Sequence, residues 1–294
     1  MLHSAPQLEV VPVHKTRNRT LGESLWHHPG DAGLRIAVFG GMHGDEPASA
    51  RLIQALSQSD HPFWKSCPHD VTFGIGHPIA VARGHRTGPD GQDLNRAFGE
   101  NSGPETATTK RADLLKAALK EVDIVVDLHQ THRPIAPCAV CPASPAHLDL
   151  ARQLGATQAV TGTQDLYGDR MLTDWANTQG KLGLTLEVGQ VGDPKAYEFA
   201  EKAVKQLLQS TEIKPNSAAS PLQVWRVVES LAAPGPAYEF TQCWSNGSPV
   251  RKGDLIATSN SGNLYASADG ALFLPRLGQS PGSPCCVQVR PHSL

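Results

Sequence analysis

No stretch of the 294 residues is apolar for long enough to span a bilayer, so no transmembrane helix and no membrane partner are expected. Nor is there an excess of charge of either sign. The 26 basic residues nearly balance the 28 acidic ones, for a formal net charge of -2. No polyanion-binding stripe follows, and nucleic acid is not an expected partner. Any anionic ligand must be held by a few placed arginines. The first ten residues lack the charged-then-apolar pattern of a secretion signal, which makes the cytoplasm the expected compartment. Cysteine is also too sparse for a disulfide framework, with six residues scattered over the chain. Cys138 and Cys141 have C-x-x-C spacing, but no second pair completes a zinc ribbon, and the adjacent Cys285 and Cys286 have the wrong spacing. Pro137 and Pro142 flank the first pair, which argues against the helix start that a redox motif needs. Packed thiols are the expectation for both pairs.

What is present is a core. Hydrophobic residues make up 39% of the chain. An α/β region is read over residues 34–209, with strands at 35–39, 71–76, 123–128 and 182–188. Stretches 48–58, 105–121 and 196–208 have apolar spacings that fit amphipathic helices covering a sheet. The Ser-, Pro- and Asn-rich run at 210–221 reads as a linker. Short alternating strands follow at 223–228, 238–241, 254–259 and 271–275, separated by turn signals such as Asn246-Gly247 and Asp269-Gly270. The expected layout is one domain over 1–210 and a smaller all-β domain over 211–294. Segments 249–257 and 268–275 resemble the sandwiched barrel of biotinyl and lipoyl domains. No lysine stands at a suitable hairpin tip, so the likeness concerns fold and not a carried cofactor.

Four places carry candidate chemistry. The strand at 35–39 runs into Gly40-Gly41, then His43 and Glu46, with Pro47 suited to the first turn of a helix. An imidazole and a carboxyl thus arrive together at the carboxyl edge of a sheet, where open α/β folds place their ligands. They suit two ligands of one zinc ion. H-x-x-E also recurs by chance among 13 histidines and 28 acids, and His43 could equally be a hydrogen-bonded loop residue. The strand at 123–128 ends in His129, which would complete two imidazoles and a carboxyl, the three protein ligands of a catalytic zinc. Asp127 could orient a ligand imidazole or make a local hydrogen bond. His132 is ranked a spectator, and His85 and His147 lack a strand before them.

Glu187 closes the apolar run at 182–188. A glutamate there is costly unless paired or working. It suits a base beside a metal, or an edge residue reaching solvent. Gly189 lets the backbone turn. Asn95 and Arg96, in Asp93-Leu94-Asn95-Arg96, offer amide and guanidinium donors for a carboxylate. Arg86 near them suits a developing oxyanion. Either arginine is otherwise a surface ion-pair partner of small worth.

Taken in order, these four motifs resemble the succinylglutamate desuccinylase/aspartoacylase family, relatives of the zinc carboxypeptidases, over about residues 33–195. The resemblance implies a zinc-carboxypeptidase-like mixed sheet flanked by helices, one Zn2+ per chain and hydrolysis of the amide of a small N-acyl amino acid. It implies His43, Glu46 and His129 as metal ligands and Glu187 as general base. Asn95 and Arg96 would grip the substrate carboxylate. Arg86 would polarise the carbonyl, with Arg83 in reserve, although the stretch from Arg86 to Asp93 is longer than usual. The position where aspartoacylases read a second carboxylate falls here on Asn177, with Arg170 and Lys181 the nearest cations. The resemblance is compatible with a homodimer. A small-peptide carboxypeptidase and a non-catalytic zinc- or ligand-binding module are the rival readings.

Overall fold

Alternation decides which layer each strand residue joins. The computed structural model describes residues 18–30, 33–100, 104–210, 212–213 and 221–293. The N-terminal segment read for a signal, and most of the linker at 210–221, lie outside the described residues. A hairpin, β1 (Arg19–Gly22) and β2 (Leu25–His28), precedes β3 (Arg35–Gly40). After β3 come α1 (Pro47–Leu56), β4 (Asp70–Ile75), α2 (Pro78–Arg83), α3 (Ala107–Ala118) and β5 (Ile124–Thr131). Next are β6 (Cys138–Val140), α4 (Pro145–Gln153), β7 (Gln158–Thr161), α5 (Thr163–Tyr167), α6 (Leu172–Thr178), β8 (Leu182–Gln190) and α7 (Pro194–Gln209). The remainder is all strand: β9 (Gln223–Ala232), β10 (Glu239–Phe240), β11 (Ser248–Val250), β12 (Leu255–Ser259), β13 (Gly262–Tyr265), β14 (Gly270–Phe273) and β15 (Pro284–Pro291).

Ile36 and Val38 of β3 point to a core shared with Leu52, Ile53 and Leu56 of α1 and with α4 and α7. Ala37 and Phe39 point the other way, onto Ala112 and Leu115 of α3 and Leu172 and Ala176 of α6. A parallel strand covered on both faces needs apolar residues at every covered position, which is why 36–39 reads as a continuous run. β4, β3, β5 and β8 pair in parallel in that order. β6 joins β8 antiparallel and β7 joins β6 in parallel, so the sheet is mixed. The helices start where their side chains allow. Thr106 and Thr109 form a reciprocal capping box at α3, and Asp193 caps α7 ahead of Pro194.

The C-terminal strands do not stand apart in hydrogen bonding. β9 pairs in parallel with β7, and β15, β14 and β11 continue from it, giving one twelve-stranded sheet. β10, β12 and β13 form a separate three-stranded sheet. Leu231 and Leu272 of the large sheet and Ile256 and Ala257 of the small one share a further apolar cluster with Tyr238 and Trp244. This continuity carries residues of β9, β14 and β15 to the edge where β3, β5 and β8 end. No helix among the described residues is long and apolar enough to cross a membrane.

One buried carboxyl in this framework is only partly compensated. Burial pushes Asp174 of α6 up to about 6, against the lowering influence of Thr163 and Arg96. Its oxygens receive the Thr163 hydroxyl, at 3.2 and 3.4 Å, and the Gln164 side chain also bonds it. A carboxyl raised above its unfolded value costs stability where it must ionise. The cost is full above pH about 6 and fades as pH falls toward the unfolded pKa of about 4. Asp174→Asn keeps the acceptor for Thr163. It is expected to raise Tm at pH about 8, by an amount on the order of 1–3 kcal/mol in stability, and to lose that gain near pH 4. Thermal melts of both proteins across that range check it, and an unchanged or lower Tm at the alkaline end contradicts it.

Candidate active site

The β3–α1 turn is built by close contact. Gly41 has φ +64, a left-handed backbone that glycine adopts freely, and its N–H donates to the Ser49 hydroxyl at 3.1 Å. A Cβ on Gly44 would lie 1.9 Å from the Ala80 carbonyl oxygen, so only glycine fits there. The Gly44 N–H donates to the carbonyl of His85 at 3.0 Å. That bond ties the His43–Glu46 turn to the loop carrying Arg86. Glu46 stands at the N-cap of α1 but its side chain does not cap the helix. The Gln130 side chain accepts from the Ala48 N–H at 2.7 Å instead. Glu46 is thereby freed to face the histidines, close to the positive end of the helix dipole.

His43, Glu46 and His129 are all buried, with candidate ligand atoms within 4.8 Å of one another. Glu46 Oε1 lies 2.8 Å from His43 Nδ1, and Glu46 Oε2 lies 3.0 Å from His129 Nδ1. The two outer nitrogens face carboxyls. His43 Nε2 is 3.1 Å from Asp93 Oδ1, and His129 Nε2 is 2.7 Å from Asp127 Oδ2. A carboxylate that holds the proton on Nε2 leaves the Nδ1 lone pair free for a metal, the usual support of a ligating histidine. The histidines hold the Glu46 carboxyl well below the ordinary range despite the opposing effect of burial. Burial lowers His129, yet Asp127 and Glu46 outweigh it and raise the imidazole well above its usual value. Such a pocket calls for positive charge at its centre, and two imidazoles with one carboxyl are a donor set that a divalent cation fits.

His129 lies inside β5 and not just beyond its end as the sequence suggested. β5 and β8 stay in register through His129 opposite Glu187, then slip so that Thr131 faces Gln190. Gly189, at φ +143, lies within that slip and accommodates it. The same strand pairing places Glu187 beside His129. Burial and the nearby Glu46 push Glu187 up to about 6, against His129, Arg276 and His43. Its Oε2 is buried with no hydrogen-bond partner.

Asp93 caps a short 3-10 turn, Leu94–Arg96, by accepting from the Asn95 N–H at 2.9 Å. Its other oxygen takes Arg86 Nη2 at 2.8 Å. Arg86 Nη1 stands 3.8 Å from Glu46 and has no hydrogen-bond partner. Asn95 Oδ1 accepts from the Leu172 N–H at 2.9 Å, and Asn95 Nδ2 lies 3.5 Å from His129 Nε2. Arg96 lays its guanidinium over the Tyr167 ring, 4.1 Å from the centroid.

One cleft is lined by His43, His129, Glu187, Arg86, Asn95 and Arg96, and Glu46 lies beneath it. Arg83 is exposed and does not line it. The reserve cations lie elsewhere. Lys181 donates to the carbonyls of Lys120 and Val122, Arg170 to that of Tyr167, and Asn177 is occupied by His147 and Gly183. His132 pairs with Asp45 at the surface. Arg276 was missed by sequence reasoning. It follows β14 and reaches the cleft, where burial and Arg86 lower it while Glu46, Glu187 and Asp93 oppose. No local motif marks it. Its neighbour Leu274 has φ +53, a left-handed conformation unusual for leucine, fixed by an N–H bond to Asn246 Oδ1 at 2.7 Å.

Residues 32–211 match the family model described as succinylglutamate desuccinylase/aspartoacylase catalytic domain. No curated protein matches the sequence. Among solved structures, the chain is similar to a succinylglutamate desuccinylase of Vibrio parahaemolyticus, with TM-score 0.75 and 18% identity over 92% of this chain and 86% of that one. A succinylglutamate desuccinylase/aspartoacylase of Rhodobacter sphaeroides gives TM-score 0.71 and 20% identity over 92% and 88%. The product-bound ectoine utilization protein EutE (DoeB) of Ruegeria pomeroyi gives 0.69 and 22% over 90% and 88%.

Proposed function

The chain belongs to the succinylglutamate desuccinylase/aspartoacylase family, and from that premise we propose that it is a zinc-dependent amidohydrolase cleaving the amide of a small N-acyl amino acid. The observation that carries this reading is a pair of orphans. Glu187 Oε2 and Arg86 Nη1 are a buried acceptor and a buried donor without hydrogen-bond partners, in one cleft with His43 and His129. Buried polar groups rarely go unpaired, and those that do point to a ligand or a reaction. His43, Glu46 and His129 would hold the ion. When bound, zinc supplies Lewis-acid chemistry, making a water more acidic and a carbonyl more electrophilic.

The chain's own residues account for the rest. Glu187, held near neutrality by burial, takes a proton from the attacking water and delivers it to the departing amine nitrogen. The Arg86 guanidinium, anchored through Nη2 on Asp93, donates its free Nη1 to the carbonyl oxygen as charge develops there. Arg96 and the Asn95 amide bind the carboxylate of the amino acid. Tyr167 under the Arg96 guanidinium limits where that carboxylate can sit. The cleft also takes wall residues from Phe273, Leu274, Arg276 and Val287. A wall supplied by the C-terminal strands favours small acylated amino acids over peptides. Six free cysteines accord with a reducing cytoplasm.

A screen of N-acyl amino acids and short peptides, with metal analysis of the purified protein, tests the proposal. Hydrolysis of N-acyl amino acids that stops on chelation and returns with zinc is expected. Peptide trimming without deacylation would favour the carboxypeptidase reading, and stoichiometric zinc without turnover of any amide would favour a binding module.

A further inference from the structure

The cleft has two unlike ends. The polar end holds His43, His129, Glu187 and the arginines. An apolar wall is made of Val140 on β6, Val160 on β7, Val227 on β9, Phe273 and Leu274 at the end of β14, and Val287 on β15. These strands come from both halves of the chain, and their side chains form one apolar cluster that includes Cys138 and Trp225. Cys138 faces Glu187 across the β6–β8 pairing, so the apolar wall begins next to the catalytic carboxyl.

Building on the deacylase reading, we propose that the substrate carries an uncharged, apolar acyl group or side chain, seated on this wall. A second carboxylate needs a partner when it leaves water, and an unpaired buried charge is strongly unfavourable. Val140, Val160, Val227, Phe273, Leu274 and Val287 offer none. Arg170 and Lys181 lie outside the cleft and are bonded to backbone carbonyls. Arg96 and Arg86 are committed to the polar end. Arg276 stands there too, with Arg86, Glu46, Glu187 and Asp93 as its charged neighbours. An aliphatic or aromatic group, by contrast, gains by leaving water against valines and a phenylalanine. Leu274 strengthens the case. Its left-handed backbone is unfavourable for leucine and is held by Asn246, whose side chain also donates to the Pro134 carbonyl at 3.0 Å. The fold thus fixes a strained leucine on the cleft wall.

The test compares kcat/KM of the zinc-loaded enzyme on five compounds. N-acetyl-leucine and N-octanoyl-glycine place the apolar group on the side-chain and acyl side respectively. N-acetyl-aspartate and N-succinyl-glutamate carry the extra carboxylate, and N-acetylglycine carries neither. One apolar compound is expected to exceed both dicarboxylic ones by about 10²-fold, and which one it is locates the wall's occupant. Leu274→Asn, which suits a left-handed backbone, is expected to lower the ratio of that compound to N-acetylglycine about five-fold, as is Val287→Thr. A purely structural role for these residues would change all substrates alike. Equal or preferred hydrolysis of the dicarboxylic compounds, or ratios unmoved in both variants, overturns the substrate class while the deacylase reading stands. No hydrolysis of any of the five by zinc-loaded protein overturns both.

Discussion

Glu187→Gln is expected to lower turnover of a cleaved N-acyl amino acid by about 10²–10⁴-fold while zinc content stays at the parent level. The two halves of that statement have different origins. Zinc content should hold because Glu187 is not part of the His43–Glu46–His129 group. Turnover should fall because glutamine fills the same volume but cannot take a proton. Glu187 suits the task of base because burial and Glu46 carry it up to about 6, near the pH at which it must act. The kcat/KM of the parent should therefore fall as acid is added below that region, and a cation bound beside Glu187 moves the limb to lower pH. In the variant that acidic limb should disappear. Stability gives a third readout. A carboxyl raised above its unfolded pKa costs stability once it ionises. Metal-free Glu187→Gln should thus melt no lower than the parent above pH about 6. Full activity in a zinc-replete Gln variant would remove Glu187 from the mechanism.

How much of this was legible in the sequence depended on whether the signal was local. His43 and Glu46 lie in a strand–turn–helix written within a dozen residues, with Gly41 and Gly44 required by a backbone angle and a close contact and Pro47 suited to the first helical turn. His129 and Glu187 could be read because each stands in a long apolar run, and the β5–β8 pairing sets them side by side. The bounds were less visible. β5 continues to Thr131 and β8 to Gln190, because a polar residue facing a cleft does not end hydrogen bonding. The short β6 was harder still: its three residues, in a run of four buried ones between Pro137 and Pro142, give no periodicity. Yet β6 and β7 connect the first half of the sheet to β9 and so carry the C-terminal strands to the cleft. Arg276, Phe273 and Val287 reach the site only through that chain of pairings. No spacing in the sequence records it. The C-x-x-C pair shows the same limit, since Cys138 is both a packed thiol and part of the cleft wall.

Glu46→Gln should abolish metal binding, and with it activity, even though the fold around it persists. Glu46 pairs with both imidazoles, one oxygen to each Nδ1. Its Oε2 also accepts the Gln130 N–H at 3.0 Å, so the carboxyl is aimed before any ion arrives. An amide has one acceptor in place of two and brings an N–H2 toward nitrogens that must keep free lone pairs. It also removes a negative charge that helps hold a cation in a buried pocket. Zinc at about 100 times its Kd should stabilise the parent by about 2.7 kcal/mol, seen as a rise in Tm that chelator reverses. The Gln variant should show no such rise, and its residual turnover should fall to the detection limit. His132→Ala is the matched control, since His132 is exposed and paired with Asp45 outside the group. It should keep both the zinc-dependent shift and the activity. Melting curves with zinc and with chelator separate the cases without any substrate. A parent whose Tm ignores zinc would remove the cation from the centre of the site. A Gln variant that responds like the parent would mean the ion sits elsewhere, with His43 and His129 merely ion-paired to buried carboxyls.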